Sequence, residues 1–363
     1  MSLINAKSNC KIRVPGRVCF FGDHQDYLGL PIIAGAIDRY VTLTAQPNGL
    51  SCFNIALKNT NSIIQMPLSL EQSTIKSDYF FSGLSIMLDQ GARFDQGYDI
   101  SIEGNIPINA GLSSSTALVT AWIKFLATIG FTHLRPSSNQ IATWSHQAEV
   151  SFFNAPGGHM DHLTIAHQHL IFLDNTSLTV ERLNSPFDGI VIAESGIDKK
   201  TLEVLGNARS YAEKAIQTVK AINPEFRIQQ ADASAIELYM NAIDPMYRKH
   251  WYAAIHNHMI TQQALQLFKQ CGTAESLGAL MNAHQHILAN YIENTPKAMS
   301  RMMDSALQSG AYGAKIVGSG GGGTMVAICS QDDCHAVVKA FKNSGAVNAY
   351  TVGLLNAFHS RFS

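Results

Sequence analysis

The sequence is poor in charge and in cysteine and contains no long apolar run, and each shortage excludes a class of protein. Charged residues make up 15% of the 363 residues and the formal net charge is -1, which argues against binding to nucleic acid or to a membrane surface. The six cysteines are scattered without zinc spacing or a disulfide framework. No stretch reaches membrane-spanning length, and the first eleven residues lack the apolar centre of a signal peptide. We therefore expect a reduced, cytoplasmic enzyme.

What is present is a large apolar fraction, 46% of the residues, in a chain long enough for two domains. Strand-like segments mix with helical ones from about Lys11 to Asp174, whereas the pattern beyond Lys199 is mainly helical. Strand signals return in "AKIVGSGGGGTMVAIC" and "VNAYTVGL". This order predicts an α+β protein of two lobes, with the border between residues 175 and 190.

The segment "PINAGLSSSTALVTA" places a glycine and three serines at the start of a predicted helix. The helix is predicted from one apolar stripe at helical spacing, formed by Leu118, Ala121, Trp122, Phe125, Leu126 and Ile129. Gly130 then supplies a stop signal. One serine is enough to cap a helix, so three in a row need another explanation.

A helix amino terminus is a ready site for an anion, because its first N–H groups are unpaired and carry partial positive charge. Gly111 and Leu112 lead into this terminus, and the glycine allows close backbone approach. The side chains that follow add hydroxyl donors: Ser113, Ser114, Ser115 and Thr116. One hydroxyl can also bind Mg²⁺. The alternative is an ordinary N-cap with more hydroxyl groups than it needs.

A second glycine-rich segment, "GSGGGG", follows the apolar strand "AKIV" and includes Gly318, Gly320, Gly321 and Gly322. So many glycines raise the entropic cost of folding beyond that of an ordinary hairpin. Their use is to let the backbone pass close to another backbone or to a ligand. A flexible turn is the alternative, and one or two glycines would suffice for it.

Two further segments concentrate charged and imidazole groups. "PGRVCFFGDHQDYLG" contains Arg17, Asp23, His24 and Asp26, which suit hydrogen bonding to a polyol, although a solvated turn is the alternative. "QAEVSFFNAPGGHMDHLT" contains Glu149 near the carboxyl end of a predicted helix, where a carboxylate is unfavourable unless it meets a cation. Asp161 follows the glycine pair of that segment. For both carboxylates a capping or ion-paired role is the alternative.

Taken together and in this order, the four segments resemble the GHMP small-molecule kinases over nearly the whole chain. "PxxxGLSSS" is similar to the phosphate loop of that family, and "GSGGGG" to its carboxyl-terminal glycine motif. Within the family, "PGRVCFFGDHQDYLG", "AIDRYV", "GHMD" and "HLIFLD" resemble galactokinase segments. The resemblance implies a two-lobed α+β fold. Residues 1–180 would form a mixed sheet-and-helix domain, and residues 181–363 a ferredoxin-like domain of helices and sheet.

The resemblance also implies roles for individual residues. Asp161 matches the catalytic aspartate and Arg17 the arginine that stabilises it. Ser115 and Glu149 match Mg²⁺ ligands, and the loop from Gly111 to Thr116 matches the ATP phosphate-binding segment. The residues matched to sugar contacts are Asp23, His24, Asp26 and Gly158. The implied reaction is transfer of phosphate from ATP to a monosaccharide, at the anomeric C1 hydroxyl.

Departures from the galactokinase pattern leave the substrate open. Asp23 stands where glutamate is usual, Gln25 where threonine or valine is usual, and "DYLGLP" lacks a double glycine. Another sugar 1-kinase, for a heptose, fucose or a uronic acid, is the close alternative, and a mevalonate-type kinase is a more distant one. A non-catalytic sugar-binding regulator of this fold would typically have lost the catalytic acid or a phosphate-loop residue. Asp161, Arg17 and the serines are all present, which favours an enzyme.

Overall fold

A computed structural model describes residues 9–69, 78–155, 157–198 and 201–355, without the side chains of residues 201–206. The chain forms two compact units that are interleaved along the sequence. Unit 1 consists of Met1–Gly16, Ala36–Ile108 and Ser113–Gln168, and unit 2 of Arg17–Gly35, Asn109–Leu112 and His169–Ser363. The two long strands β1 (Cys10–Phe21) and β2 (Ile32–Pro47) each contribute to both units. The predicted division of the chain at residue 180 stays a prediction.

In its described residues, unit 1 combines a mixed sheet with four α-helices. The second half of β2 pairs antiparallel with β5 (Tyr98–Gly104), β5 pairs parallel with β3 (Cys52–Leu57), and β3 pairs antiparallel with β4 (Ser62–Pro67). The helices are α1 (Tyr79–Asp89), α2 (Ser114–Gly130), α3 (Ser138–His146) and α4 (Met160–His167).

The apolar stripe predicted for α2 forms the core of unit 1. Trp122 and Phe125 are fully buried, and both pack edge-on against Phe53 of β3. The Trp122 indole N–H donates to the carbonyl oxygen of Phe80 at 2.9 Å, so this large side chain is buried without losing its polar partner. α2 ends at Gly130, as predicted from the sequence.

Unit 2 contains the predicted ferredoxin-like arrangement. Its four antiparallel strands lie in the order β11 (Asn348–Thr351), β8 (Gly189–Glu194), β10 (Thr324–Cys329), β9 (Gly313–Ile316). A helical crossover separates β8 from β9 and another separates β10 from β11, which is the βαββαβ pattern. The first half of β2 also pairs here with β6 (Leu170–Asp174), and β6 with β7 (Thr179–Arg182).

The helices of unit 2 occupy the long crossover and the last connection. They are α5 (Thr201–Ile222), α6 (Ala233–Met240), α7 (Pro245–Lys269), α8 (Ala274–Ile287), α9 (Lys297–Leu307) and α10 (Cys334–Asn343). The apolar faces of α9 and α10 pack on the sheet in a core that includes Val191, Met303, Ile316 and Phe341. Helices α5, α6 and α7 contribute to a separate apolar cluster that includes Trp251. The predicted α+β class is confirmed.

Candidate active site

The first half of the predicted phosphate loop belongs to unit 2, together with the end of β1. Arg17 is 4% exposed, and its Nη1 donates to the carbonyl oxygen of Gly111 at 2.6 Å. The backbone N–H of Arg17 donates to the carbonyl oxygen of Leu112 at 3.2 Å. Gly111 has a φ of 89°, a conformation that residues with a side chain rarely adopt. Arg17 therefore holds the backbone that leads into the serines.

The serine cluster, residues 113–116, belongs to unit 1 and forms the first turn of α2. Ser113 is the N-cap residue with a left-handed φ of 60°, yet its hydroxyl makes no capping hydrogen bond. Ser115 is exposed, Ser114 is half-buried, and Ser113 and Thr116 are buried. Simple capping thus does not explain the cluster, and Ser115 presents its hydroxyl to solvent at the positive end of the helix.

The hydroxyl of Ser113 is directed to Asp161 instead. Asp161 lies in the first turn of α4, and its Oδ2 accepts a hydrogen bond from Ser113 Oγ at 2.6 Å. A carboxylate in the first turn of a helix is favoured by the helix dipole. Gly158, just before α4, is half-buried. The structure thus brings together two residues, 48 positions apart, that the sequence assigned to separate motifs.

Glu149 lies in a π-helical turn, Gln147–Ser151, that continues α3. Such turns are rare and occur frequently at functional sites. The side chain of Glu149 is 10% exposed, and its Oε2 is 2.9 Å from Nε2 of His162. His146 stacks on His159 nearby, with ring centroids 3.9 Å apart. Burial, and then the neighbouring imidazoles of His159 and His162, lower the pKa of His146 to about 4.

Two of the residues matched to sugar contacts are bonded to the glycine-rich segment. The signature loop, residues 22–29, and the glycine loop, residues 318–323, both belong to unit 2. Asp23 accepts hydrogen bonds from Lys315 Nζ at 2.5 Å and from the N–H of Gly318 at 2.8 Å. His24 Nε2 is 2.8 Å from the carbonyl oxygen of Ser319. Asp26 begins a half-buried 3-10 turn, Asp26–Leu28.

The glycine loop needs its glycines because it passes close to other backbone. Gly318, Gly320 and Gly321 have φ values of 75°, 72° and 73°, and Gly322 has a φ of 147°. A Cβ at Gly320 would lie 2.6 Å from the carbonyl oxygen of Asn294, and one at Gly322 would lie 2.6 Å from that of Asp198. The N–H of Gly321 also donates to the Asn294 carbonyl, at 2.6 Å. Close backbone approach, one of the two uses expected from the sequence, is therefore present.

Sequence reasoning missed three polar partners in this region. Lys315 is fully buried and bonded to Asp23, His162 is 3% exposed in its side chain and bonded to Glu149, and Asn294 is bonded to the glycine loop. A lysine inside the apolar strand "AKIV" was the one available signal, because a buried lysine requires a partner. The roles that the sequence predicted for the site residues stay predictions.

Sequence comparisons identify the family. The galactokinase galactose-binding signature matches residues 3–47, the GHMP kinases N terminal domain matches residues 78–169, and the GHMP kinases C terminal family matches residues 264–347. Together these matches span more than half of the chain. A galactokinase of Pyrococcus furiosus is 24% identical over 339 residues, which cover 91% of this chain and 92% of that protein.

Solved structures show the same fold. Lactococcus lactis galactokinase, solved with galactose, superimposes with a TM-score of 0.85 at 20% identity and covers 97% of this chain and 94% of its own. Methanococcus jannaschii mevalonate kinase gives a TM-score of 0.74 at 18% identity, with 96% and 99% covered.

The chain belongs to the GHMP kinase family. It is an ATP-dependent kinase that phosphorylates an alcohol group, and within the family it is galactokinase-like. Within the described ranges, no helix combines the length and apolarity needed to cross a membrane. The same ranges hold no group of three or more His, Cys, Asp or Glu side chains arranged to bind a metal ion.

Proposed function

We propose that this kinase transfers the γ-phosphate of ATP to the anomeric C1 hydroxyl of a free monosaccharide, galactose or a close relative. The observation that carries the proposal is the galactose-binding signature over residues 3–47, which includes Arg17, His24 and Asp26. Support comes from the curated relatives, which are galactokinases matched over about nine-tenths of their length. We retain the expectation of a cytoplasmic enzyme as part of this proposal.

In the proposed reaction, Asp161 orients the sugar hydroxyl and accepts its proton. Ser113 donates to Oδ2 of Asp161 and holds this carboxylate in place. Arg17 supplies positive charge where negative charge develops, and its bond to Gly111 holds the backbone that leads to the proposed phosphate site. Phosphoryl transfer depends mainly on such positioning and charge, because little covalent chemistry falls to the protein.

The residues predicted to hold Mg²⁺ suit that ion. Ser115 and Glu149 are oxygen ligands, which Mg²⁺ prefers, and Ser115 is exposed at the start of α2. Two side chains are enough, because Mg²⁺ in kinases keeps several waters and takes its other ligands from substrate phosphates. His162 binds one carboxylate oxygen of Glu149 and orients the group. When bound, the ion would neutralise charge on the phosphates of ATP.

The experiment is a screen of monosaccharides with ATP and Mg²⁺, read as release of ADP. Galactose, fucose, a heptose, a uronic acid and mevalonate form the panel, and ³¹P NMR of the product locates the phosphate. We expect turnover with galactose or a close relative and a product phosphorylated at C1. Turnover with mevalonate alone would contradict the proposal. Sugar binding without any ADP release would instead support a sugar-binding regulator.

A further inference from the structure

The carboxylate of Asp23 lies inside unit 2, and each of its oxygens accepts a hydrogen bond from the protein. Its side chain is 0% exposed. Oδ2 accepts from Lys315 Nζ and Oδ1 accepts from the N–H of Gly318, the first residue of the glycine loop. A sugar ligand needs a polar group that faces the substrate, and both oxygens of Asp23 face the protein.

The side chain of Lys315 is also 0% exposed, and its ammonium has three hydrogen-bond acceptors. Besides Asp23, its ammonium donates to the carbonyl oxygens of Cys19 at 3.3 Å and Ile316 at 2.6 Å. Removing one member of a buried pair is costly, because the other charge is left uncompensated. Burial is the largest influence on Asp23 and would raise its pKa, but the Lys315 ammonium, His284 and hydrogen bonds from Lys315 and Cys19 together hold that pKa below its ordinary value.

The pair of Asp23 and Lys315 lies where the glycine loop begins. Gly318 has a left-handed φ of 75°, and its N–H points to Asp23. The next carbonyl oxygen, of Ser319, accepts from Asn294 Nδ2 at 3.3 Å and lies 2.8 Å from His24 Nε2. The signature loop and α8–α9 connection thus hold the first two residues of the glycine loop from two sides.

We propose that Asp23, held by Lys315, is a positioning residue for the glycine loop and not a sugar ligand. The sugar contacts predicted for His24 and Asp26 are unaffected by this inference. Substitution of Asp23 then affects nucleotide binding through the glycine loop and leaves sugar affinity unchanged. The ligand-binding part of this inference rests on the proposed function, whereas the positioning part concerns the protein alone.

The test compares two double variants that both remove the buried charges. In Asp23→Asn/Lys315→Met the amide oxygen still accepts from Gly318, whereas in Asp23→Ala/Lys315→Met that acceptor is lost. Neutralising both members together avoids a lone buried charge, so both proteins are expected to fold. Asp232→Ala is the control, because it removes a carboxylate acceptor from a backbone N–H at the distant start of α6.

Two measurements are made on each protein. Hydrogen exchange over residues 316–324 is expected to be about three- to tenfold faster in the Ala double variant than in the Asn one, as one lost hydrogen bond predicts. In titrations, the Ala double variant is expected to bind MgADP more weakly than the Asn double variant by a similar factor. The two double variants are expected to bind galactose with equal affinity. Asp232→Ala should match the wild type in both.

Equal exchange in the two double variants would overturn the proposal, whether or not any ligand binds. Weaker galactose binding in the Ala double variant, with MgADP binding unchanged, would also overturn it and restore Asp23 as a sugar ligand. If the proposed function is wrong, the wild-type protein is expected to bind neither galactose nor MgADP. The hydrogen-exchange result would still decide the role of Asp23 in that case.

Discussion

Ser113 donates a 2.6 Å hydrogen bond to Asp161 and does so from a left-handed backbone conformation. A φ of 60° is uncommon for a serine, and such strain persists only where the surrounding structure enforces it. The N-cap hydroxyl of α2 thus serves the carboxylate of α4 and not its own helix.

We predict that Ser113→Ala lowers kcat about tenfold to a hundredfold and leaves the KM for ATP close to the wild-type value. A hydrogen bond to a charged group is typically worth about 1.5–3 kcal/mol, and its loss frees Asp161 to move. Steady-state kinetics in both substrates provide the measurement. Ser113→Gly separates the hydroxyl from backbone strain, because glycine adopts a φ of 60° freely.

Thr128→Ala is the matched control for Ser113→Ala. It removes an exposed hydroxyl from the same helix, one that donates to the carbonyl oxygen of Lys124, and its kinetics should equal the wild type. A raised KM for ATP with unchanged kcat in both Ser113 variants would show that this hydroxyl binds phosphate and does not position Asp161.

The glycine loop permits a matched pair of substitutions. Gly320 and Gly49 have φ values of 72° and 70°, but a Cβ at Gly320 meets the Asn294 carbonyl at 2.6 Å, whereas one at Gly49 has nothing within 4 Å. Gly49→Ala should lower the free energy of unfolding by about 1 kcal/mol, because alanine disfavours this positive φ. Gly320→Ala should lower the free energy of unfolding by about 1–3 kcal/mol more than Gly49→Ala does, because the backbone around the new Cβ must move. It should also weaken the binding of MgADP.

Urea denaturation and MgADP titration of the two glycine variants test this difference. Equal denaturation midpoints, together with unchanged nucleotide affinity for Gly320→Ala, would show that the glycine loop is a tolerant turn.

Asp26 is a carboxylate of the signature loop for which we propose a contact with the sugar. We predict that Asp26→Ala raises the KM for the sugar about tenfold to a hundredfold with little change in the KM for ATP, because a sugar hydroxyl loses its acceptor. Asp38→Ala, which removes a carboxylate whose side chain is 46% exposed, is the control and should leave both KM values unchanged. An effect of Asp26→Ala confined to ATP would assign this loop to the nucleotide.

The buried side chain of His284 makes the stability of the folded protein depend on pH. It is fully buried in α8 and stacks on Phe21, near Asp23 and His24. Burial, followed by the Lys315 ammonium, lowers its pKa to about 3. The unfolded chain binds this proton near the ordinary histidine pKa of about 6.5 and the folded chain does not, so stability is lost as pH falls below that value.

Between pH 7 and pH 5 this histidine should account for about 2 kcal/mol of lost unfolding free energy. In His284→Met the loss over the same range should be smaller by that amount, because all other titrating groups are shared with the wild type. Urea unfolding at the two pH values provides the measurement. Identical pH dependence in the two proteins would mean that His284 binds its proton as readily in the folded protein as in the unfolded chain.

Local signals predicted much of the fold. The stripe from Leu118 to Ile129 and the stop at Gly130 define α2. At the start of α3 the structure adds a capping box formed by Ser137 and Gln140. The π-helical turn around Glu149 was not predicted, because its residues fit an ordinary helical pattern.

Long-range polar pairs were beyond sequence reasoning. Asp23 and Lys315 are 292 residues apart, and no local pattern shows which acid a buried lysine will meet. The bond between Ser113 and Asp161 is hidden for a related reason, since a serine at a helix start is already explained by capping. Motif resemblance identified the segments of the site, whereas the hydrogen bonds between those segments required the fold.

The central claim is that Asp161 serves as the catalytic carboxylate, and Asp161→Asn tests it most directly. The amide keeps the size of the side chain and an oxygen that accepts from Ser113, but it cannot take the proton of the sugar hydroxyl. Once the monosaccharide screen has given the substrate, kcat is measured beside the affinities for sugar and MgADP. We predict that kcat falls by about 10² to 10⁴ while both affinities stay near the wild-type values. A folded Asp161→Asn protein that turns over at nearly the wild-type rate would contradict it.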